Sequence, residues 1–262
     1  MKYIKFKIKN RISYISINRP DKLNSLSNAV IDELIKVVED IQCNKKIDVA
    51  IITGIGNKSF IAGADIGEMS KMDRAQSAIY SQKGQTLTHK IETSRVPFIA
   101  AINGFALGGG CEIALACHIR YAYNTAKFGQ PEVKLGLIAG FGGTQRLPRL
   151  VGRGQAMEIL LSGKVICAEE ALRIGLINKL VEYNDPNCSA LIDECNNLAD
   201  LISNNSSTAV ASTIKAIIEG ENRSIEDALV IEKEIFSNIF NTYDSREGML
   251  AFLEKRKANF KK

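Results

Sequence analysis

The chain has 262 residues, 45% apolar and 24% charged, enough to bury one large core or a core with a small appendage. Its net charge of +5 is mild, and no basic run is interleaved with aromatics, which argues against a nucleic-acid partner. The six cysteines have no CxxC or other paired spacing, and the two histidines, His89 and His118, complete no zinc-ligand pattern. No metal is therefore expected, and the cysteines read as buried thiols of a reducing, cytoplasmic setting.

Lysine alternates with apolar residues over 1–7, which predicts a half-buried strand and not the apolar block of a signal peptide. Period two marks strands at Ile4, Phe6 and Ile8 and again over Ile12–Ile17, before Asn18-Arg19-Pro20-Asp21 interrupts. Ser27 is placed to cap a helix in which Val30, Ile31, Leu34, Ile35, Val38 and Ile41 recur at three and four. A buried strand over 49–53, a turn at 54–56 and a helix through much of 73–94 follow. The unit then recurs as a strand over 98–102, a turn at Asn103-Gly104, a buried helix over 110–117 and a strand over 119–123. This ββα alternation predicts an α/β architecture with short parallel strands. From about Asp193 the pattern is helical alone, which divides the chain into a core, 1–195, and a helical region, 196–262, that docks on a neighbour or closes over its own core. No apolar stretch is long enough to span a bilayer, so no membrane partner is expected.

The chemistry concentrates between Asn103 and Gly143. Gly108, Gly109 and Gly110 precede the apolar run Ile113-Ala114-Leu115-Ala116, so the backbone can approach a ligand and a helix start leaves N–H groups unpaired. Such a place can hold negative charge developing on an oxygen, although a tight strand-to-helix turn explains the glycines equally well. Ala62-Gly63-Ala64-Asp65-Ile66 has the same small-residue character, with Asp65 able to fix the turn. Glu112 and Glu132 both have apolar neighbours. Either alone reads as a capping or surface carboxylate. Together, flanking one glycine-built pocket, they would raise each other's pKa, so that one holds a proton while the other accepts one.

At these residues the chain resembles the enoyl-CoA hydratase (crotonase) family. The likeness lies in Asn18-Arg19-Pro20, the segments 62–66, 103–112 and 128–132, Gly140 with 142–147, and the C-terminal run 246–260. It implies a ClpP-like spiral of ββα units with a C-terminal helical trimerisation region, and a homotrimer or a dimer of trimers (a homohexamer). The implied activity is reversible hydration of a short-chain enoyl-CoA thioester, in fatty acid β-oxidation or butyrate-type metabolism, with no cofactor beyond the coenzyme A of the substrate. By the same resemblance, the Ala64 and Gly109 N–H groups form an oxyanion hole, Glu112 and Glu132 exchange protons, and the Gly140 N–H positions water. Ala62, Asp65, Ile66, Leu107, Gly108, Phe236 and Lys255 would contact the CoA ester. The chain departs from the family pattern at Gly67, where many relatives have lysine, and at Ala139, where a proline is expected. Double-bond isomerisation is the nearest rival, and the presence of both glutamates favours hydration over it. A serine hydrolase lacks an evident nucleophile turn, and a non-catalytic RNA-binding relative would not need the glutamate pair.

Overall fold

The computed structural model describes residues 1–184 and 189–260; Cys188 and the terminal Lys261-Lys262 lie outside the described residues. The chain opens with an antiparallel hairpin, β1 (Ile4–Lys9) and β2 (Ile12–Ile17), in which Ile4 faces Ile17 and Phe6 faces Ile15. Helix α1 (Asn28–Cys43) starts where Ser27 accepts the Val30 N–H, and it buries Val30, Ile31, Leu34, Val37, Val38 and Ile41. Cys43 is exposed rather than buried, because it ends this helix where the helix leaves the core.

Three ββα turns follow. The first is β3 (Val49–Gly54), β4 (Ser59–Ala62), the short α2 (Ile66–Met69) and α3 (Arg74–Glu92), which begins in an Asp73/Gln76 capping box. The second is β5 (Phe98–Ile102), β6 (Phe105–Leu107) and α4 (Gly109–Ala116). The third is β7 (Ile119–Tyr123), β8 (Lys127–Gly129), a 3-10 turn at Pro131–Leu135, then α5 (Gly143–Val151) and α6 (Arg153–Ser162). Strand β9 (Val165–Cys167), α7 (Ala168–Arg173) and β10 (Lys179–Val181) complete the sheets.

The first strand of each turn enters a six-stranded sheet, β1-β2-β3-β5-β7-β10, and the second enters a four-stranded sheet, β4-β6-β8-β9. Pairing is parallel except at β1–β2 and β8–β9. The small sheet was not anticipated from periodicity. Its strands have only three or four residues, too few for alternation to register. The main core lies between the two sheets and helices α1, α3 and α4 and includes Ile15, Phe60, Phe98, Ile113 and Phe128.

The remaining helices are α8 (Ala190–Ser203), α9 (Ser207–Gly220), α10 (Ile225–Ile239) and α11 (Tyr243–Leu253). Leu191, Cys195 and Ala199 of α8 pack with Val49, Ile51, Ile99 and Tyr123 on the outer face of the large sheet. Residues 195 and 196, either side of the expected division, thus lie within one sheet-packed helix. After Ser203, α9 and α10 bury no residue, whereas α11 buries Asp244, Glu247 and Ala251. No described helix is long and apolar enough to cross a membrane.

Candidate active site

The small sheet sets the geometry. Ala62 pairs with Leu107, and Leu107 with Gly129, so β4, β6 and β8 end level. Their C-terminal continuations, Gly63-Ala64, Gly108-Gly109 and Gln130 to Glu132, are therefore delivered to one edge, where ligands of parallel sheets commonly sit.

Ala64 forms a parallel bridge with Leu26: the Leu26 N–H donates to Gly63 O at 2.9 Å and the Asp65 N–H to Leu26 O at 2.8 Å. That pattern turns the N–H of Ala64 itself to the opposite side, where it meets no protein acceptor among the described residues. Gly109, the first residue of α4, likewise has no acceptor for its N–H among them. Gly108 makes the strand-to-helix turn at φ +50°, and a Cβ there would lie 3.0 Å from Glu132 Oε1 and 3.6 Å from Gly63 Cα. Glycine at 108 is required by the backbone and keeps the space beside Glu132 open.

Glu112 is on the first turn of α4 and is 2% exposed. Its Oε1 accepts the N–H groups of Phe141 and Gly143, both at 2.7 Å. Burial pushes its pKa up to about 7; the Gly143 and Phe141 bonds oppose that rise and the Glu132 charge adds to it. Burial also raises the pKa of Glu132. With its amide nitrogen turned toward Glu132, buried Gln130 donates to the two carboxylate oxygens at 2.9 and 3.2 Å. Beside Glu132 opens a largely apolar cavity of about 390 Å³, bounded by Val133, Ile138, Ala139, Met157 and Leu161 among others. A buried carboxyl with its pKa raised to about 7, a second raised carboxyl and two unpaired N–H groups suit proton exchange next to an oxygen that gains charge.

The other expected site residues divide into two groups. Ala62 and Leu107 end their strands at this edge, Ile66 begins α2 and is exposed, and Gly140 lies on the loop leading to Phe141. The Gly140 N–H has no acceptor among the described residues, whereas its carbonyl is held by Ser81 Oγ at 2.7 Å and Gln85 Nε2 at 3.1 Å. Asp65 serves the fold: its side chain caps α2 at the Glu68 N–H and accepts from Arg19 at 3.0 Å. The Arg19 guanidinium holds its pKa below the usual carboxylate value. Phe236 and Lys255 are not brought to the cavity at Glu132. Phe236 is 62% exposed on α10, which packs on α9, and Lys255 follows α11. The N–H donors of Phe141 and Gly143 were missed, because nothing in their sequence marks them as partners of a glutamate on another helix. No cluster of three or more potential metal ligands occurs among the described residues.

The model of a family described as enoyl-CoA hydratase/isomerase matches residues 7–262. A short-chain-enoyl-CoA hydratase of Clostridium acetobutylicum is 44% identical over 247 residues, covering 94% of this chain and 93% of the relative. A crotonyl-CoA hydratase of Syntrophomonas wolfei is 45% identical over 250 residues, covering 95% and 94%. The crystal structure of an enoyl-CoA hydratase from Bacillus anthracis superposes with a TM-score of 0.94 at 37% identity, covering 99% of both chains.

Proposed function

The chain belongs to the enoyl-CoA hydratase/isomerase family, and from that premise we propose that it is a hydro-lyase that adds water reversibly to a short-chain trans-2-enoyl-CoA. Addition is syn and gives the (3S)-3-hydroxyacyl-CoA. The observation that carries this reading is the convergence of buried Glu112, Glu132 and the unpaired Ala64 and Gly109 N–H groups at one edge of the small sheet. The names of the Clostridium and Syntrophomonas relatives support the short acyl chain.

As water adds to the β-carbon, the thioester carbonyl gains negative charge, which the Ala64 and Gly109 N–H groups receive. Fixed donors of this kind contribute about 3 kcal/mol each. Glu112, whose pKa burial pushes up to about 7, takes the water's proton, and Glu132, whose pKa burial also raises, delivers one to the α-carbon. Dehydration reverses these roles. The free Gly140 N–H helps to position the same water. Ala62, Asp65, Ile66, Leu107 and Gly108 line the approach of the thioester, and Phe236 and Lys255 serve the CoA portion across a subunit boundary. No cofactor beyond the substrate's coenzyme A takes part. The helices after Ser203 associate with other copies, in a trimer or a dimer of trimers, in the cytoplasm. The test is loss of the conjugated thioester absorbance on adding water to enoyl-CoA esters from C4 to C16. Highest kcat/KM at C4 is expected, and no turnover at any length would overturn the reading.

A further inference from the structure

One face of α3 meets the loop that binds Glu112. Ser81, Gly84, Gln85, Thr88 and Glu92 recur at three and four along that helix, and each of them engages the segment 140–146. Ser81 Oγ and Gln85 Nε2 donate to the Gly140 carbonyl at 2.7 and 3.1 Å. Gly84 lets the Phe141 ring lie against the helix, since a Cβ there would fall 2.0 Å from Phe141 Cδ1. Thr88 Oγ1 donates to the Phe141 carbonyl at 2.8 Å. Arg146 donates to the same oxygen at 3.1 Å and pairs with Glu92 through two bonds of 2.8 Å.

The Gly140 carbonyl and the Phe141 N–H are the two ends of a single planar peptide unit. One end is gripped by α3, and the other donates to Glu112 Oε1 at 2.7 Å. Rotation of that plane would break both contacts together. We propose that Ser81 and Gln85 are positioning residues for the reaction: by holding the Gly140 carbonyl they aim the Phe141 N–H at Glu112 and so fix the carboxyl that handles the reacting water's proton. They give the loop the rigidity that a proline at 139 would supply and that Ala139 does not. This assignment rests on the hydratase reading for its activity readout.

The Phe141 bond opposes the burial that raises Glu112, so loosening it moves the Glu112 pKa upward. The other groups that face this carboxyl are Glu132 after β8, Arg146 of α5, Tyr80 of α3 and Cys111 of its own helix, and the substitutions below alter none of them. The experiment compares the wild type, Ser81→Ala/Gln85→Ala and Ser81→Thr. The Glu112 carboxyl is titrated by infrared difference spectroscopy, its band identified by its absence in Glu112→Gln, and crotonyl-CoA hydration is profiled against pH. In the double variant Glu112 is expected to titrate about half a unit higher or more. Its kcat at pH 7 is expected to fall roughly tenfold with KM little changed, and Ser81→Thr, which keeps the hydroxyl, to match the wild type. A double variant that melts earlier yet titrates Glu112 and turns over as the wild type does would reduce these residues to structural ties and overturn the proposal. Absence of hydration by the wild type would instead sink the activity reading, while the infrared titration would still judge the positioning role.

Discussion

Glu112 combines a proposed function with a cost. Its pKa in the folded chain, about 7, lies above its ordinary value of 4.5, so the native state binds its proton more tightly than the unfolded chain does. The stability that this group contributes is fully present below about pH 4.5 and is lost as pH rises through 7. Glu112→Gln keeps an oxygen for the Phe141 and Gly143 N–H groups but removes the charge. It should therefore be more stable than the wild type at pH 8, by about 2–4 kcal/mol, and equal to it near pH 4, measured by urea unfolding. The same variant should lose hydration by orders of magnitude, and wild-type turnover would remove Glu112 from its role as base. In the wild type the acid limb of kcat/KM should have its midpoint near pH 7, where Glu112 ionises. Glu132→Gln should also lose hydration by orders of magnitude while still binding the CoA ester, and near-normal crotonyl-CoA turnover would exclude it.

At the scale of elements, the site depends on how closely α4 approaches the small sheet. A Cβ at Gly110 would lie 2.0 Å from the Ile61 carbonyl oxygen, a backbone atom that cannot move aside without displacing β4. Gly110→Ala should therefore cost about 1–3 kcal/mol or more, with lowered kcat because Ala64 and Gly109 separate; a thermal melt and a rate assay check both. Long elements are legible in the sequence. Ser27 and the apolar spacing of α1, and the alternation of β1 and β2, report local physics that the final packing keeps. The glutamates were legible for a similar reason, since charged residues within apolar runs must be paired or used. The small sheet was hidden because β6 and β8 are three-residue strands carrying glycine and alanine. The contact between α3 and the Glu112 loop was hidden because it joins residues as much as 59 apart, as with Ser81 and Gly140, and no local period encodes such a meeting.

For the whole molecule, the C-terminal helices pose the open physical problem. Helices α9 and α10 bury no residue, and Ile217, Leu229, Val230 and Phe236 on them, with Phe240 just after α10, are between 46% and 62% exposed. Apolar surface on this scale, gathered on one helical pair, is what a surface for association would present. α11 beyond them is tied back to the start of α9, where Ser206 donates to Asp244 at 2.6 Å, and Arg256 folds the chain after α11 onto Glu247 at 2.6 Å. A self-associating face would also account for Phe236, which packs on Phe240 at a ring distance of 5.2 Å and does not line the cavity beside Glu132. Leu229→Glu/Val230→Glu places two charges in that face and leaves α4, the small sheet and their glutamates untouched. Light scattering should find the wild type at three or six times the 28.7 kDa chain mass and the variant at or near one. If Phe236 and Lys255 serve a neighbour's CoA portion, dissociation should raise KM for crotonyl-CoA far more than it lowers kcat. A monomeric variant with unchanged KM would leave each chain to bind its substrate alone.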